Sequence, residues 1–405
     1  MAFAPAGSAR VAVVIVTHGA WAWTQRALAA LHRHTPDVEL VIVDNASRDG
    51  TPERVAREVG GARLVANADN VGFARAANQG AESAGGELVA FLNNDALVHE
   101  GWLEPLVEAL DRDERVAAAA PRLLNLDGSL QEAGALVARD GSTWSYGYGD
   151  DPARPEYGFP RVVDYAAGAC LLVRRSALAQ CGGFSELFSP AYYEDVDLCF
   201  ALAAHGLRTV YEPRSLVTHA RHASGDAAQA HALSRRHRVT FLERWGDALE
   251  ARPGTLEPPR PRAALGARDA HALDRVLVAG AGASVDPLLR ALAALWPDAR
   301  ITALLDDADP AGARATGLLA EGIEAVAEIG DSSVWLGDRR LHYDVVVAGD
   351  GTPDEVWATQ PQALGLSWTD LLDAGGAPRP PSELHAALAP AGVGPPAPDV
   401  AADGR

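Results

Sequence analysis

"ELVAFLNNDALV", Glu87–Val98, is an apolar run that stops on two amides and a carboxylate. Leu88–Leu92 is too short for a helix and suits a strand covered on both faces, as parallel sheets require. The same pattern recurs on its N-terminal side. "VAVVIV" (Val11–Val16), "ELVIVD" (Glu39–Asp44) and "ARLVAN" (Ala62–Asn67) alternate with helix-like stretches through Leu31, at "TPERVAREVG" and at "FARAANQGAESAG". Short β-branched runs separated by amphipathic segments describe an α/β fold with a mostly parallel, Rossmann-like sheet. Ligands of such sheets sit at the carboxyl ends of the strands. Those ends here carry Thr17 and His18, Asp44 and Asn45, Asn67, and Asn93, Asn94 and Asp95.

The chain has 405 residues, enough for two cores. Its net charge of -19 argues against a nucleic-acid surface or a broadly basic membrane face, which would gather cations against phosphate. There is no Lys, so every basic side chain other than His is Arg, a compositional bias without chemical meaning. Cys170, Cys181 and Cys199 form neither a paired framework nor a metal-type spacing, and they read as packing residues of a reducing compartment. The apolar run at Val11–Val16 is shorter than the ~7–15 residues of a signal-peptide core, and no stretch approaches the ~20 of a membrane span. A cytoplasmic protein is expected.

Beyond Val116 the pattern loosens into "DGSTWSYGYGDDPARPEYGFP", which reads as a long surface insertion. Order returns with "AAGACLLVRR" as a strand and "YYEDVDLCFALAAHG" as a helix, followed by a strand "SLVTH" and a basic helix "SRRHRVTFLERWG". Residues 1–250 make the first domain, 251–270 a Pro- and Arg-rich linker, and 271–370 a small second α/β unit. The Pro-, Ala- and Gly-rich residues 371–405 are expected to be disordered, above all toward the end.

Four groups of residues carry candidate chemistry. Asp44 ends a strand, where its carboxylate either builds a turn with Ser47, Asp49 and Gly50 or accepts the N3–H of a uracil or thymine ring. Asn70, Gly72, Phe73, Arg75 and Asn78 crowd the start of a helix, with Arg75 and Asn78 one turn apart, so that its N-terminus could face a diphosphate. Asp95, with Asn94 beside it, presents a hard oxygen suited to Mg2+ or Mn2+, and His219 at the end of a later strand could add a nitrogen to the same ion. Glu194, Asp195 and Asp197 place three carboxylates in four residues at a helix start. The helix dipole explains one or two of them; mutual repulsion raises one pKa and suits Asp195 to act as a general base.

In order and spacing, "VAVVIVTHG", "LVIVDNASRDGT", "NVGFARAANQG", "VAFLNNDALV", "GACLLVRRSAL", "GGFSELFSPAYYEDVDLCFALAAHG" and "VTHARHASG" resemble the inverting family 2 glycosyltransferases of GT-A fold. The branch with Asp-Asn-Ala-Ser after the second strand is similar to rhamnosyltransferases and galactofuranosyltransferases of cell-envelope polysaccharide synthesis. The likeness covers roughly residues 10–245. It implies a nucleoside-diphosphate sugar donor, dTDP- or UDP-linked, and a glycan or lipid-diphosphate acceptor. Thr17 and Asp44 would hold the base, with Asn70, Arg75, Asn78 and Asn94 around the donor. Gly168 and Ala169 would let the backbone approach it. Asp95 ends the metal-binding Asp-x-Asp position, His219 is the third metal contact, Asp195 is the base and Glu194 touches the acceptor. Asn93 stands where the first Asp of that motif belongs, a departure that bears on metal affinity more than on activity. Arg235, Arg236 and Arg238 serve equally well as a solvated helix face or as a contact with a lipid-diphosphate acceptor or, peripherally, with anionic lipid.

The second unit opens with "VLVAGAGAS". Gly280 and Gly282 imitate a dinucleotide fingerprint, with Asp306 a strand-helix-strand later, but Val285 occupies the third glycine position. A structural βαβ unit is the better reading. A non-catalytic nucleotide-sugar or glycan-binding partner of another transferase is the alternative to an enzyme; the presence of Asp44, Asp95, Asp195 and His219 together favours catalysis.

Overall fold

The computed structural model describes residues 1–5, 7–153, 157–158, 160–221, 227–250 and 252, and then 275–279, 285–296, 299–305, 317–318, 323–327, 345–348, 364–367 and 371–388. In chain order the N-terminal part runs β1 (Val11–Thr17), α1 (Trp21–His34), β2 (Glu39–Asn45), α2 (Thr51–Glu58), β3 (Arg63–Asn67), α3 (Phe73–Ser83), β4 (Leu88–Leu92) and β5 (Ala96–Val98). It continues with α4 (Leu103–Arg112), β6 (Val116–Leu124), β7 (Leu130–Glu132), β8 (Ala135–Val137), β9 (Thr143–Ser145), β10 (Arg161–Val163), β11 (Cys170–Arg174), α5 (Arg175–Cys181), α6 (Glu194–Ala204), β12 (Arg208–His219) and α7 (Ala227–Leu249). The C-terminal part comprises β13 (Arg275–Ala279), α8 (Asp286–Leu295), β14 (Arg300–Leu305), β15 (Glu324–Ala327), β16 (Val345–Ala348), β17 (Leu364–Ser367) and a last helix, α9 (Pro381–Leu388). These elements fall into two compact units, one holding β1 to α7 and the other β13 to α9.

The first unit is built on a sheet of order β10-β12-β6-β11-β4-β1-β2-β3, with β5 against β12 and β7 against β6. β4, β1, β2 and β3 run parallel, and β11 lies antiparallel between β4 and β6. One face of the central strands, Val14, Val43, Val89 and Phe91, packs on Ala74, Ala76 and Ala77 of α3 and on Leu198 and Leu202 of α6. The alanines bring α3 close to the sheet. Gly80 makes that approach closer still, because a Cβ there would lie 2.3 Å from Val14 Cγ1. Cys170 and Cys199 are buried and form no disulfide, and their thiols are pushed up by desolvation.

Register then fixes the chemistry-bearing ends. Thr17 pairs with Asp44 across β1 and β2, and Asn45 with Asn67 across β2 and β3. Leu92 pairs with Cys170, so β4 stops where β11 begins, and Ala96 pairs with His219. A turn closed by the Ala96 N–H on the Asn93 carbonyl at 3.0 Å therefore sets Asp95 beside His219.

The stretch expected to be a surface insertion is instead part of the body. Within it Tyr146 and Tyr157 are buried, and Thr143–Ser145 forms β9, paired with β8 as a hairpin whose Ala135 bridges to Tyr165. Gly-rich turns mask this in the sequence, because the aromatics that fold back on the hairpin carry no strand periodicity. The strand expected at "SLVTH" is the end of the longer β12.

The second unit is a five-stranded parallel sheet of order β15-β14-β13-β16-β17. Its order, with the first strand central, is that of a doubly wound fold. Gly280, Gly282 and Asp306 lie outside the described residues, as does nearly all of the 251–270 linker. Where composition suggests disorder, residues 371–388 carry α9, while 389–405 fall outside the described residues. Among the described residues no helix is long and apolar enough to cross a membrane.

Candidate active site

The carboxyl ends of β1, β2 and β3 open into a cleft of about 870 Å³ lined by His18, Asp44, Ser47, Asn67 and Asn70. Thr17 and Asp44 are buried. The Thr17 hydroxyl donates to Asp44 Oδ2 at 2.8 Å and the Ser47 N–H to Oδ1 at 2.9 Å. Each Asp44 oxygen keeps a lone pair for a further donor. Asp49 accepts the Trp21 N–H at 3.0 Å and the Thr51 hydroxyl at 2.6 Å, while Ser47 Oγ accepts the Gly19 N–H at 2.6 Å. Ser47 and Asp49 are thus turn-builders that leave Asp44 free to bind.

His18 and Asn70 also line a second cleft of about 730 Å³, which holds Asp95 and His219 at one pole and Glu194 and Asp195 at the other. His219 Nε2 lies 3.1 Å from Asp95 Oδ1 and 3.3 Å from Asn93 Nδ2. Among the described residues no three His, Cys, Asp or Glu side chains cluster as metal ligands. Two protein donors nevertheless fit Mg2+ or Mn2+, which complete their shells with waters and substrate phosphate.

At the other pole, Asp195 Oδ2 accepts the Gly168 N–H at 3.0 Å and Oδ1 accepts the Val196 N–H at 2.9 Å. Burial pushes its carboxyl up despite those bonds. Glu194 is pushed further, by burial and then by the Asp195 charge, and its Oε2 has no hydrogen-bond partner. Tyr192 and Tyr193 enter the left-handed region at φ 77° and 75°, a cost of order 1–3 kcal/mol each for bulky residues. Their turn leads directly into α6 and so aims Glu194 and Asp195 at the cleft.

Asp197 does not share this environment. It accepts the Trp245 indole N–H at 2.8 Å and pairs with Arg244 at 3.1 Å, which ties α6 to α7. The fourth acid in the cleft, after Asp95, Glu194 and Asp195, is Glu132 on β7. Its carboxyl is pushed up to about 7 by burial, against hydrogen bonds from the Ala167 N–H and the Ser145 hydroxyl, both at 2.9 Å. Glu132 escapes a sequence reading because β7, Leu130–Glu132, is too short to carry a period.

Asn70, Asn94, Gly168 and Ala169 all line the second cleft. Asn94 Nδ2 donates to Thr24 Oγ1 at 3.1 Å, and Asn70 Oδ1 accepts the Gly72 N–H at 3.0 Å. A Cβ on Gly168 would meet only ordinary contacts, so the glycine is not demanded by crowding within the protein. Arg75 and Asn78 are not brought to either cleft. Arg75 is exposed, because Ala74, Ala76, Ala77 and Gly80 take the sheet-facing side of α3. Asn78 spends both ends of its amide on Phe184.

Residues 12–182 match the family described as Glycosyl transferase family 2. The N-acetylglucosaminyl-diphospho-decaprenol L-rhamnosyltransferase of Mycobacterium tuberculosis is 32% identical over 257 residues, spanning 57% of this chain and 82% of that protein. The chain belongs to glycosyl transferase family 2. It is a glycosyltransferase of GT-A fold. A pre-mycofactocin glycosyltransferase of the same organism is 37% identical over 151 residues, 36% of this chain and 30% of its own length. Among solved structures, GalNAc-T7 with UDP, GalNAc and Mn2+ gives a TM-score of 0.47 at 19% identity, covering 60% of this chain and 49% of that one.

Proposed function

We propose that this transferase moves a sugar, rhamnose or one like it, from a dTDP- or UDP-linked donor to a hydroxyl of a glycan or lipid-diphosphate acceptor in cell-envelope polysaccharide synthesis. The reaction is a single inverting displacement. The reading rests above all on one cleft containing both the half-buried Asp195 carboxylate and the Asp95–His219 pair. The rhamnosyltransferase similarity supports the sugar and the lipid-diphosphate acceptor class.

Asp44 takes the pyrimidine, its carboxylate accepting the ring N3–H, while Thr17, wholly buried and outside the lining of either cleft, orients that carboxylate through its hydroxyl. Asp95 and His219 hold a divalent ion, Mg2+ or Mn2+, which when bound neutralises the departing diphosphate. Asp195 removes the acceptor hydroxyl proton as the oxygen attacks the anomeric carbon and the bond to phosphate breaks, a role typically worth ~10²–10⁴-fold. Its raised pKa strengthens it as a base, and the Gly168 N–H holds the oxygen that receives the proton. Glu194, with one oxygen unpartnered at the cleft wall, accepts a second acceptor hydroxyl.

The test is transfer from dTDP-rhamnose and a panel of UDP-sugars with Mn2+ to a short prenyl-diphosphate N-acetylglucosamine, with the anomeric configuration of the product read by NMR. An inverted product that Asp195→Asn abolishes without loss of donor binding supports the reading. Retained anomeric configuration, or donor binding without transfer to any acceptor class, overturns it.

A further inference from the structure

We infer that Gln131 is a positioning residue for the metal pole: it pins the tautomer of His219 that turns the bare Nε2 toward Asp95. The inference rests on the reading that Asp95 and His219 hold the divalent ion. Three bonds carry it. Gln131 Nε2 donates to the His219 backbone carbonyl at 3.0 Å and to Asn125 Oδ1 at 2.9 Å. A backbone carbonyl can only accept, so the orientation of the Gln131 amide is decided. Its Oε1 is thereby the atom 2.8 Å from His219 Nδ1. An amide oxygen cannot donate either, so Nδ1 must carry the hydrogen.

In the neutral ring Nε2 then keeps its lone pair. It faces Asp95 Oδ1 at 3.1 Å, and the nearest donor to it is Asn93 Nδ2 at 3.3 Å. A lone pair set against a carboxylate oxygen is a repulsive arrangement until a cation lies between them, and such a pair is a ligand set in waiting. Asn125 completes the brace: its own Nδ2 donates to Ser129 Oγ at 2.9 Å, which leaves Oδ1 turned to Gln131. β7, braced by the turn before it, thus determines which nitrogen of a histidine on β12 is free. With Asn93 in the place of a second carboxylate, the pole depends more heavily on this nitrogen than a two-Asp site would. Removing a partner that orients a ligating His typically costs 10–100-fold in metal affinity.

The experiment uses the full chain and Mn2+ alone, with bound metal read from the loss of the free-ion EPR signal. Wild type, His219→Gln and Gln131→Met are compared. Expected are measurable wild-type binding, its loss in His219→Gln, and a 10–100-fold weaker dissociation constant in Gln131→Met. Equal affinity in wild type and Gln131→Met overturns the role of Gln131 and leaves the metal reading standing. No wild-type binding, or binding that His219→Gln leaves intact, overturns the metal reading and this inference with it. Should Gln131→Met fail to fold, nitrogen-proton correlation of the imidazoles in metal-free wild type decides the matter, with the His219 signals assigned by their absence from His219→Gln. An Nδ1-protonated ring supports the inference, and an Nε2-protonated ring refutes it.

Discussion

Asn78 on α3 clasps the backbone of Phe184 with both ends of its amide: Nδ2 donates to the Phe184 carbonyl at 2.8 Å, and the Phe184 N–H donates to Oδ1 at 2.9 Å. The preceding Gly183 sits at φ 76°, and a Cβ there would fall 2.5 Å from Asn78 Oδ1. The motif "GGFSELF" is thereby held to the helix that the sequence marks as a donor contact.

Asn78→Ala should therefore lower stability by about 1–3 kcal/mol, the usual cost of leaving buried partners unsatisfied. The Michaelis constant for the nucleotide sugar should stay within about twofold, since the side chain lines neither cleft. Denaturant unfolding and steady-state kinetics on the same variant separate the two roles. A large rise in the Michaelis constant with unchanged stability would return Asn78 to the donor.

Glu132 makes stability depend on pH in a direction opposite to the usual paired carboxylate. Its folded pKa of about 7 lies above the ordinary 4.5, so the folded state holds a proton that the unfolded chain has already released. Its contribution is fully present below pH 4.5 and is lost as pH rises through 7, by on the order of 3 kcal/mol. Glu132→Gln keeps an acceptor for the Ala167 N–H and cannot ionise. Melting curves of variant and wild type should coincide near pH 4 and diverge in the variant's favour toward pH 8. Parallel curves across that window would mean that Glu132 does not titrate there.

The strand ends were legible because parallel strands announce themselves as apolar runs and because register is inherited from neighbours. Thr17, Asp44, Asp95 and His219 could be placed from such runs alone. Side-chain direction was not legible. Arg75 and Asn78 share a helix start with real cleft neighbours, yet which face of α3 meets the sheet is decided by the alanines and Gly80. Gln131 and Glu132 were hidden for another reason: β7 is three residues long, too short to carry a period, and its role exists only through contacts with β9, β12 and the 165–168 segment.

The acids of α6 divide into a pair that lines the cleft and a strut to α7, and substitution should expose the division. Asp195→Asn should reduce the turnover number by ~10²–10⁴-fold with stability little changed or improved, since burial already disfavours its charge. Asp197→Ala should instead lower stability by about 1–3 kcal/mol, because it strands the Trp245 indole N–H and the Arg244 partner, with a smaller effect on turnover. In wild type the rate should fall as pH drops through the raised pKa of Asp195, the form that accepts a proton being the ionised one. A pH profile flat down to the ordinary carboxylate range would rule out Asp195 as the base.

Asp95 gives the last and most direct test of the donor pole. Its Oδ1 faces His219 Nε2, and it is the one carboxylate in "NND". A nucleoside diphosphate at ~100 times its dissociation constant stabilises the protein by about 2.7 kcal/mol. Thermal shifts with dTDP, UDP and GDP, each with and without Mn2+, should show a metal-dependent rise for dTDP or UDP. In Asp95→Ala that metal-dependent part should vanish while any shift from the nucleotide alone persists, because on the proposed reading the base sits at Asp44, in the other cleft. A variant that keeps the full Mn2+ effect would place the ion elsewhere. A variant that loses the nucleotide shift as well would mean that the two clefts bind as one unit and cannot be loaded separately.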